Sequence, residues 1–395
     1  MQPIYLDYNA TTPIDPAVAE AMQPYILSHY GNPSSTHAYG RATKEAVESA
    51  RARVAALLEC TAPEVVFTSG GSESNNTVLK GVAYTYRHRG NHIITSAIEH
   101  PATLNPCRFL EQQGLQVTYL PVDRTGMVDP DDVRKAIMSQ TLLISIMHAN
   151  NEVGTLQPVA EVADRVHAHR GILLHVDAVQ AAPWTALDTS SLGADLVSLA
   201  AHKVEGPKGV GALWIRRGTN ILPQQHGGGQ ERHRRAGTEN VAGAVGMARA
   251  FELRVAEREA LVPRVREQRD RLADAVAGSG LAEVTGHPVE RLPHIASFVA
   301  RGLEGGSVAL ALDLEGIAIS TGSACATGSA EVSHVLTAMG YPADEARGQL
   351  RISLGRTTTD ADIDRACRAV PEVLARVAEG SPIAQVAGAP GPASS

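Results

Sequence analysis

Two stretches decide the fold: Leu173-Leu-His-Val-Asp177-Ala-Val-Gln180 and Leu196-Val-Ser-Leu-Ala-Ala-His-Lys203. Each is a short apolar run ending in a polar group, an acid in the first and a base in the second. A run of that length bounded by turn signals reads as a buried strand. Similar candidates lie at 4–7, 65–67, 92–95, 116–120, 142–147, 172–176, 195–200 and 210–215. Between them, apolar positions at three- and four-residue steps predict helices over 41–58 and 73–86. Strands alternating with helices define an α/β layer built on a mainly parallel sheet.

Beyond Arg217 the pattern changes. Gly227-Gly-Gly leads into an Arg/Glu/Ala-rich helix predicted over 241–277, followed by a strand at 294–300 and a helix at 305–315. A smaller α+β domain is expected there. The division is a large domain over 15–260 and a small domain formed by 1–14 and 261–382. The stretch 383–395 has nothing to bury and is expected to be disordered.

Composition narrows the function classes. The chain has 395 residues, 44% hydrophobic and 19% charged, with net charge −7. That length suggests two domains. The charge gives no global basic field for nucleic acid, and the clusters Arg216-Arg217 and Arg232–Arg235 lack interleaved aromatics. Cys60, Cys107, Cys325 and Cys367 show no C-x-x-C spacing, so neither a disulfide framework nor a zinc site is expected. No membrane span or secretory signal is visible, which makes the cytoplasm the expected location.

The chemistry lies at the strand ends, where open α/β sheets bind ligands. Alone, Lys203 reads as a surface lysine and Asp177 as a cap or a ribose acid. Paired at neighbouring strand ends they suit pyridoxal phosphate, whose aldehyde bonds an amine and whose ring nitrogen needs a carboxylate. Gly70-Gly71-Ser72 between a strand and a helix offers an anion site or a plain helix cap. It is neither a Walker loop nor a dinucleotide fingerprint. Gln180 and Asn151 can supply amides to the ring oxygen, His202 a phosphate contact, and His100 a stacked imidazole that relays protons. Cys325, in a loop of small residues, reads as an exposed thiol; the other three cysteines read as packing residues. Arg356 reads equally as a carboxylate clamp or as a surface ion pair.

These residues resemble the NifS/IscS-type cysteine desulfurases, within the fold-type I enzymes of the class-V aminotransferase family. The shared motifs run from Tyr5-Leu-Asp-Tyr-Asn-Ala-Thr-Thr-Pro to about Pro382. They include Gly31-Asn-Pro-Ser-Ser, Ser69-Gly-Gly-Ser-Glu-Ser-Asn, Asn150-Asn-Glu-Val-Gly, Ser323-Ala-Cys and Leu354-Gly-Arg. The resemblance implies a seven-stranded large-domain sheet and the following roles. Lys203 bonds pyridoxal 5'-phosphate, Asp177 pairs the ring nitrogen, and His100 stacks. Asn151 and Gln180 bond the ring oxygen. Gly71, Ser72 and His202 hold the phosphate with Thr238 of a second copy in a homodimer. Asn32 and Arg356 bind the carboxylate of L-cysteine, and Cys325 accepts its sulfur. An acceptor such as an iron–sulfur scaffold would take the sulfur onward. One departure is Ala200-Ala201 before the His-Lys pair, where the family usually carries a serine. The same cofactor residues would also serve a selenocysteine lyase or another class-V aminotransferase.

Overall fold

The computed structural model describes residues 3–322 and 332–380. Cys325 and the tail 383–395 lie outside the described residues. The strands are β1 (Ile4–Tyr5), β2 (Val65–Thr68), β3 (His92–Ser96), β4 (Gln116–Leu120), β5 (Thr141–Met147) and β6 (Leu173–Asp177). They continue as β7 (Leu196–Ala200), β8 (Gly211–Ile215), β9 (Ala282–Val284), β10 (Ile295–Ala300), β11 (Ile317–Ala318) and β12 (Gln349–Ser353).

Seven of them form the central sheet in the order β2-β8-β7-β6-β5-β3-β4. β8 runs antiparallel to both neighbours, whereas the other pairs are parallel. This is the expected mainly parallel α/β layer with seven strands. Its inner strands β5 and β7 are buried along their whole length, as Val/Ile/Leu-rich strands covered by helices on both faces must be. Parallel pairing sends the carboxyl ends of β2, β3, β5, β6 and β7 to one edge.

Three element boundaries differ from expectation, two of them at functional positions. The helix expected over 73–86 spans Gly71–Thr85, so Gly71 and Ser72 form its first turn. The strand expected over 172–176 ends on Asp177. The strand expected over 4–7 is cut to Ile4–Tyr5 because it pairs β11, while Asp7 bridges Ser353 of β12 in a different sheet.

The remaining strands form the antiparallel sheet β12-β10-β9 and the parallel pair β1-β11. Ile4 and Leu6 pack in one apolar cluster with Leu261, Phe298 and Leu350. The 38-residue helix Val241–Gly278 joins the two cores. Its Ala244–Phe251 stretch packs beneath the central sheet, and its Leu261–Val276 stretch packs on β10 and β12. Pro263, inside this helix, removes one backbone donor just past the changeover.

One buried ion pair fastens the β2 edge. The Arg51 guanidinium, 2% exposed, donates from Nη1 and Nη2 to the Glu231 carboxylate at 2.6 and 2.8 Å. Glu231 also accepts the Phe67 N–H at 2.9 Å. It opens three consecutive non-glycine residues with positive φ (Glu231 46°, Arg232 57°, His233 64°), a conformation that costs roughly 1–2 kcal/mol per residue. The buried pair holds that strained turn in place. Replacing Arg51 by alanine strands the carboxylate and should cost about 3–5 kcal/mol in urea unfolding. A loss below about 1 kcal/mol would contradict this account of the turn.

Candidate active site

At the end of β7, a single 3-10 turn (Ala201–Lys203) lifts Lys203 over the sheet edge. Its Nζ donates to the carbonyls of Asn9 and Ala10, the latter at 3.0 Å. Asn9, buried to 2%, organises this corner. Its Nδ2 donates to Asn151 O at 2.5 Å, and its Oδ1 meets His294 Nε2 at 2.7 Å. The same carbonyl that faces Lys203 accepts from Gln180 Nε2 at 3.3 Å. Lys203, Gln180 and Asn151 are thus brought together through a residue that sequence reasoning missed. Asn9 stood inside a quoted motif, but an asparagine in a turn-rich run carries no signal of its own.

Asp177 closes β6, one strand over. Its Oδ2 accepts from Asn75 Nδ2 at 2.6 Å and its Oδ1 from Val179 N–H at 3.0 Å. Asn75 is held in turn by Thr103 Oγ1 at 3.1 Å. The carboxylate is therefore fixed in orientation from the adjoining helix. Asn75 and Thr103 were also missed; they are buried on helices and only tertiary packing reveals them.

The Gly70-Gly71 turn leaves β2 with Gly70 at φ 151°, and no side chain caps the helix that Gly71 begins. A Cβ on Gly71 would approach Val179 Cγ2 to 2.7 Å, so glycine is needed for the helix start to lie against the loop after Asp177. Uncapped N–H groups at a helix start suit an anion. Ala200 Cβ lies 3.9 Å from that same position, so the departure from the usual serine falls beside this cradle. Ser72 is exposed there. His202 Nδ1 lies 3.2 Å from Thr11 Oγ1, and its pKa is pushed down to about 4 by burial and by the Lys203 and Lys208 charges.

His100 caps the helix Pro101–Gln112, its Nδ1 accepting the Ala102 N–H at 3.1 Å. Burial lowers its pKa; the Asp177 charge opposes this and Lys203 reinforces it. The ring is neutral at pH 7 with its proton on Nε2. Beside it Glu99 is wholly buried, accepting from Ser96 Oγ at 2.7 Å and Met147 N–H at 2.9 Å, and burial raises its pKa to about 8.

Two assigned residues are not gathered at this corner. Asn32 is exposed and folds back to accept the Ser34 N–H at 2.9 Å. Thr238 is exposed, next to Gly237, which lines a crevice with Thr68 and Ser69. Arg356 lines the small crevice with Lys203 and Gln180, but two carboxylates already hold its guanidinium: Asp15 at 2.5 Å and Glu205 at 2.7 Å. Another arginine stands closer to the site loops. Arg351 of β12, 2% exposed, donates from Nη1 to Asn151 O at 3.1 Å and Gly322 O at 3.4 Å, and from Nη2 to Asp7 at 2.9 Å. Its Nε is buried without a hydrogen-bond partner among the described residues.

These donors fit pyridoxal phosphate: an amine and a fixed carboxylate at adjacent strand ends, and an uncapped glycine cradle for the phosphate. The family profile described as aminotransferase class-V matches residues 4–366. The chain belongs to the class-V aminotransferase family, whose cofactor is pyridoxal phosphate. Within it, the chain is 47% identical to cysteine desulfurase IscS of Dictyoglomus turgidum over 384 residues, 97% of each protein. A solved NifS-like protein superposes with a TM-score of 0.90 at 38% identity, covering 95% of this chain and 100% of that one. SspA in complex with cysteine gives 0.76 at 35% identity, covering 89% and 98%. The fold is therefore that of the fold-type I pyridoxal-phosphate enzymes.

The site also sets a pH dependence. Burial holds His148 and His175 at about 4 and His294 well below the usual imidazole value. With His202 they refuse protons that the unfolded chain binds between the ordinary imidazole pKa and about pH 4. Stability therefore falls as pH drops through that window. Glu99, held at about 8, has the opposite sign, but it is one group against four. Urea midpoints of cofactor-free protein should fall from about pH 7 to pH 5, and a midpoint rising over that range would contradict the assignment.

Proposed function

We propose that this chain is a cysteine desulfurase that takes sulfur from L-cysteine, releases L-alanine and leaves the sulfur on Cys325 as a persulfide. The observation that carries the reading is the amine of Lys203 beside the fixed carboxylate of Asp177, with Arg351 linking the Asn151 loop to Gly322. Gly322 immediately precedes the segment containing Cys325. The IscS and NifS-like relatives, and the SspA complex with cysteine, support the same substrate.

When bound, pyridoxal phosphate supplies an electron sink that makes the substrate's Cα proton acidic and weakens its Cβ–S bond. Lys203 holds the cofactor through Nζ and then carries the Cα proton. Asp177, oriented by Asn75 and Val179, keeps a proton on the ring nitrogen. Gly71 and Ser72 N–H groups and a neutral His202 receive the phosphate, joined by Thr238 from a second copy in a homodimer. Asn151 and Gln180 would bond the ring oxygen. His100 would lie against the cofactor and move a proton there, its Nδ1 accepting the Ala102 N–H.

The substrate carboxylate is assigned to Arg351 in place of Arg356. The Arg356 charge is already balanced by Asp15 and Glu205, whereas Arg351 has a buried donor to spare. The Cys325 thiolate attacks the substrate sulfur. An S–S bond forms, the Cβ–S bond breaks, and its electron pair is protonated at Cβ, so alanine and persulfide balance without an outside oxidant. The persulfide then passes to an acceptor protein, an iron–sulfur scaffold being the class proposed, in the reducing cytoplasm.

Cys325→Ser should retain the cofactor absorbance yet release no alanine from L-cysteine; normal release would sink the desulfurase reading. A charged hydrogen-bonded contact is worth about 1.5–3 kcal/mol, so Arg351→Ala should raise KM roughly 10- to 150-fold. Arg356→Ala should lower stability and move KM by less than about threefold. The reverse ranking would return the carboxylate to Arg356.

A further inference from the structure

Glu152 belongs to no role assigned above, yet it is 4% exposed in the loop that carries Asn151. Burying a carboxylate is costly unless donors meet it. Here two donors converge on Oε2, Ser333 Oγ at 2.5 Å and Gln349 Nε2 at 2.9 Å. One donor stands at the far end of the segment 323–331, and the other, on β12, packs against its near end. Ser333 stands just after it and caps the helix His334–Ala338, its Oγ also accepting the Leu336 N–H at 3.2 Å. Gln349 packs on Gly322, just before it: a Cβ there would lie 2.5 Å from Gln349 Nε2.

Further contacts point the same way. His334 Nε2 lies 2.9 Å from the carbonyl of Glu99, next to His100. Asn150 accepts the Glu152 N–H at 2.8 Å and donates to Ile98 O at 3.0 Å. Val335 and Leu336 pack on Ile98, Met147 and Val153. The apolar contacts supply adhesion but little register. A directional bond from Ser333 to the buried carboxylate sets the far end of the segment, and Gln349, bonded to the same oxygen, packs on Gly322 at the near end.

We infer that Glu152 is a positioning residue for sulfur transfer, clamping Ser333 and Gln349 so that both ends of the Cys325-bearing segment are set against the Asn151 loop. This rests on the desulfurase reading. A misplacement of about 1 Å at a reacting atom costs about 100-fold in rate, so loss of the clamp acts on the transfer step. L-cysteine binding is left to Arg351, whose bonds to the Asn151 and Gly322 carbonyls are separate from those that Glu152 makes.

The test follows Cys325 persulfide formation in holoenzyme during a single turnover, by alkylation and mass spectrometry. Glu152→Ala should slow it about 10- to 100-fold, with KM for L-cysteine changed by less than about twofold. Glu152→Gln keeps an acceptor oxygen and should restore most of the rate. Wild-type transfer in Glu152→Ala, a matching rise in KM, or no rescue by glutamine would overturn the inference. If Glu152→Ala does not fold, Ser333→Ala with Ser333→Thr as rescue makes the same comparison. Wild-type holoenzyme run in parallel separates the two claims: if it forms no persulfide, the desulfurase reading falls and the clamp falls with it.

Discussion

The register of three parallel strands governs everything at this site. Met147 of β5 pairs with Asp177 of β6, and Asp177 pairs with Ser198 of β7, so the three strands end nearly level. A one-residue slip would turn the Asp177 side chain to the opposite face of the sheet. Inside the sheet, His175 bridges Ser145 Oγ at 2.8 Å and Ser198 Oγ at 2.9 Å, a polar rung across all three strands. Burial keeps that imidazole neutral, which lets it bond two hydroxyls without carrying a charge into the core. Level strand ends then place a carboxylate, an amine and an asparagine-rich loop around one volume.

Around that volume the structure favours fixed, mostly neutral donors over free charges. Asp177 is oriented by Asn75, Lys203 by backbone carbonyls, and His100 by a helix start. Preorganised groups of this kind need little reorganisation when charge develops in a reaction. Half-buried acids and bases do other work. Asp15 caps its helix through one oxygen and holds Arg356 through the other, tying the start of the large sheet's helical layer to the segment after β12.

Much of this was legible in the sequence. The strands with Asp177 and Lys203 at their ends stood out because apolar runs interrupted by a single charge are rare. The glycine turn could be read because Gly70 and Gly71 sit between a strand and a helix. What escaped reading has a common physical cause. Asn9, Asn75, Thr103 and Arg351 act through contacts between segments far apart in the chain, and even Asn9 and Asn75, which stand inside motifs, carry no local sign of those partners. The sequence left Arg356 open between a carboxylate clamp and an ion pair because its partners, Asp15 and Glu205, are distant in sequence and meet it only in the folded chain. The short β11 and β9 carry too few residues for any periodicity. The helix start at Gly71 was missed by two residues because glycine opens it where a capping serine or threonine is the usual marker.

The central claim is covalent: the coenzyme aldehyde is carried by the side-chain nitrogen at the end of β7. Holoenzyme treated with borohydride, digested and sequenced by mass spectrometry tests it directly. The account requires the reduced pyridoxyl group on the peptide containing Lys203, and no such label in Lys203→Ala. Label on another lysine, with Lys203 recovered unmodified, would contradict it.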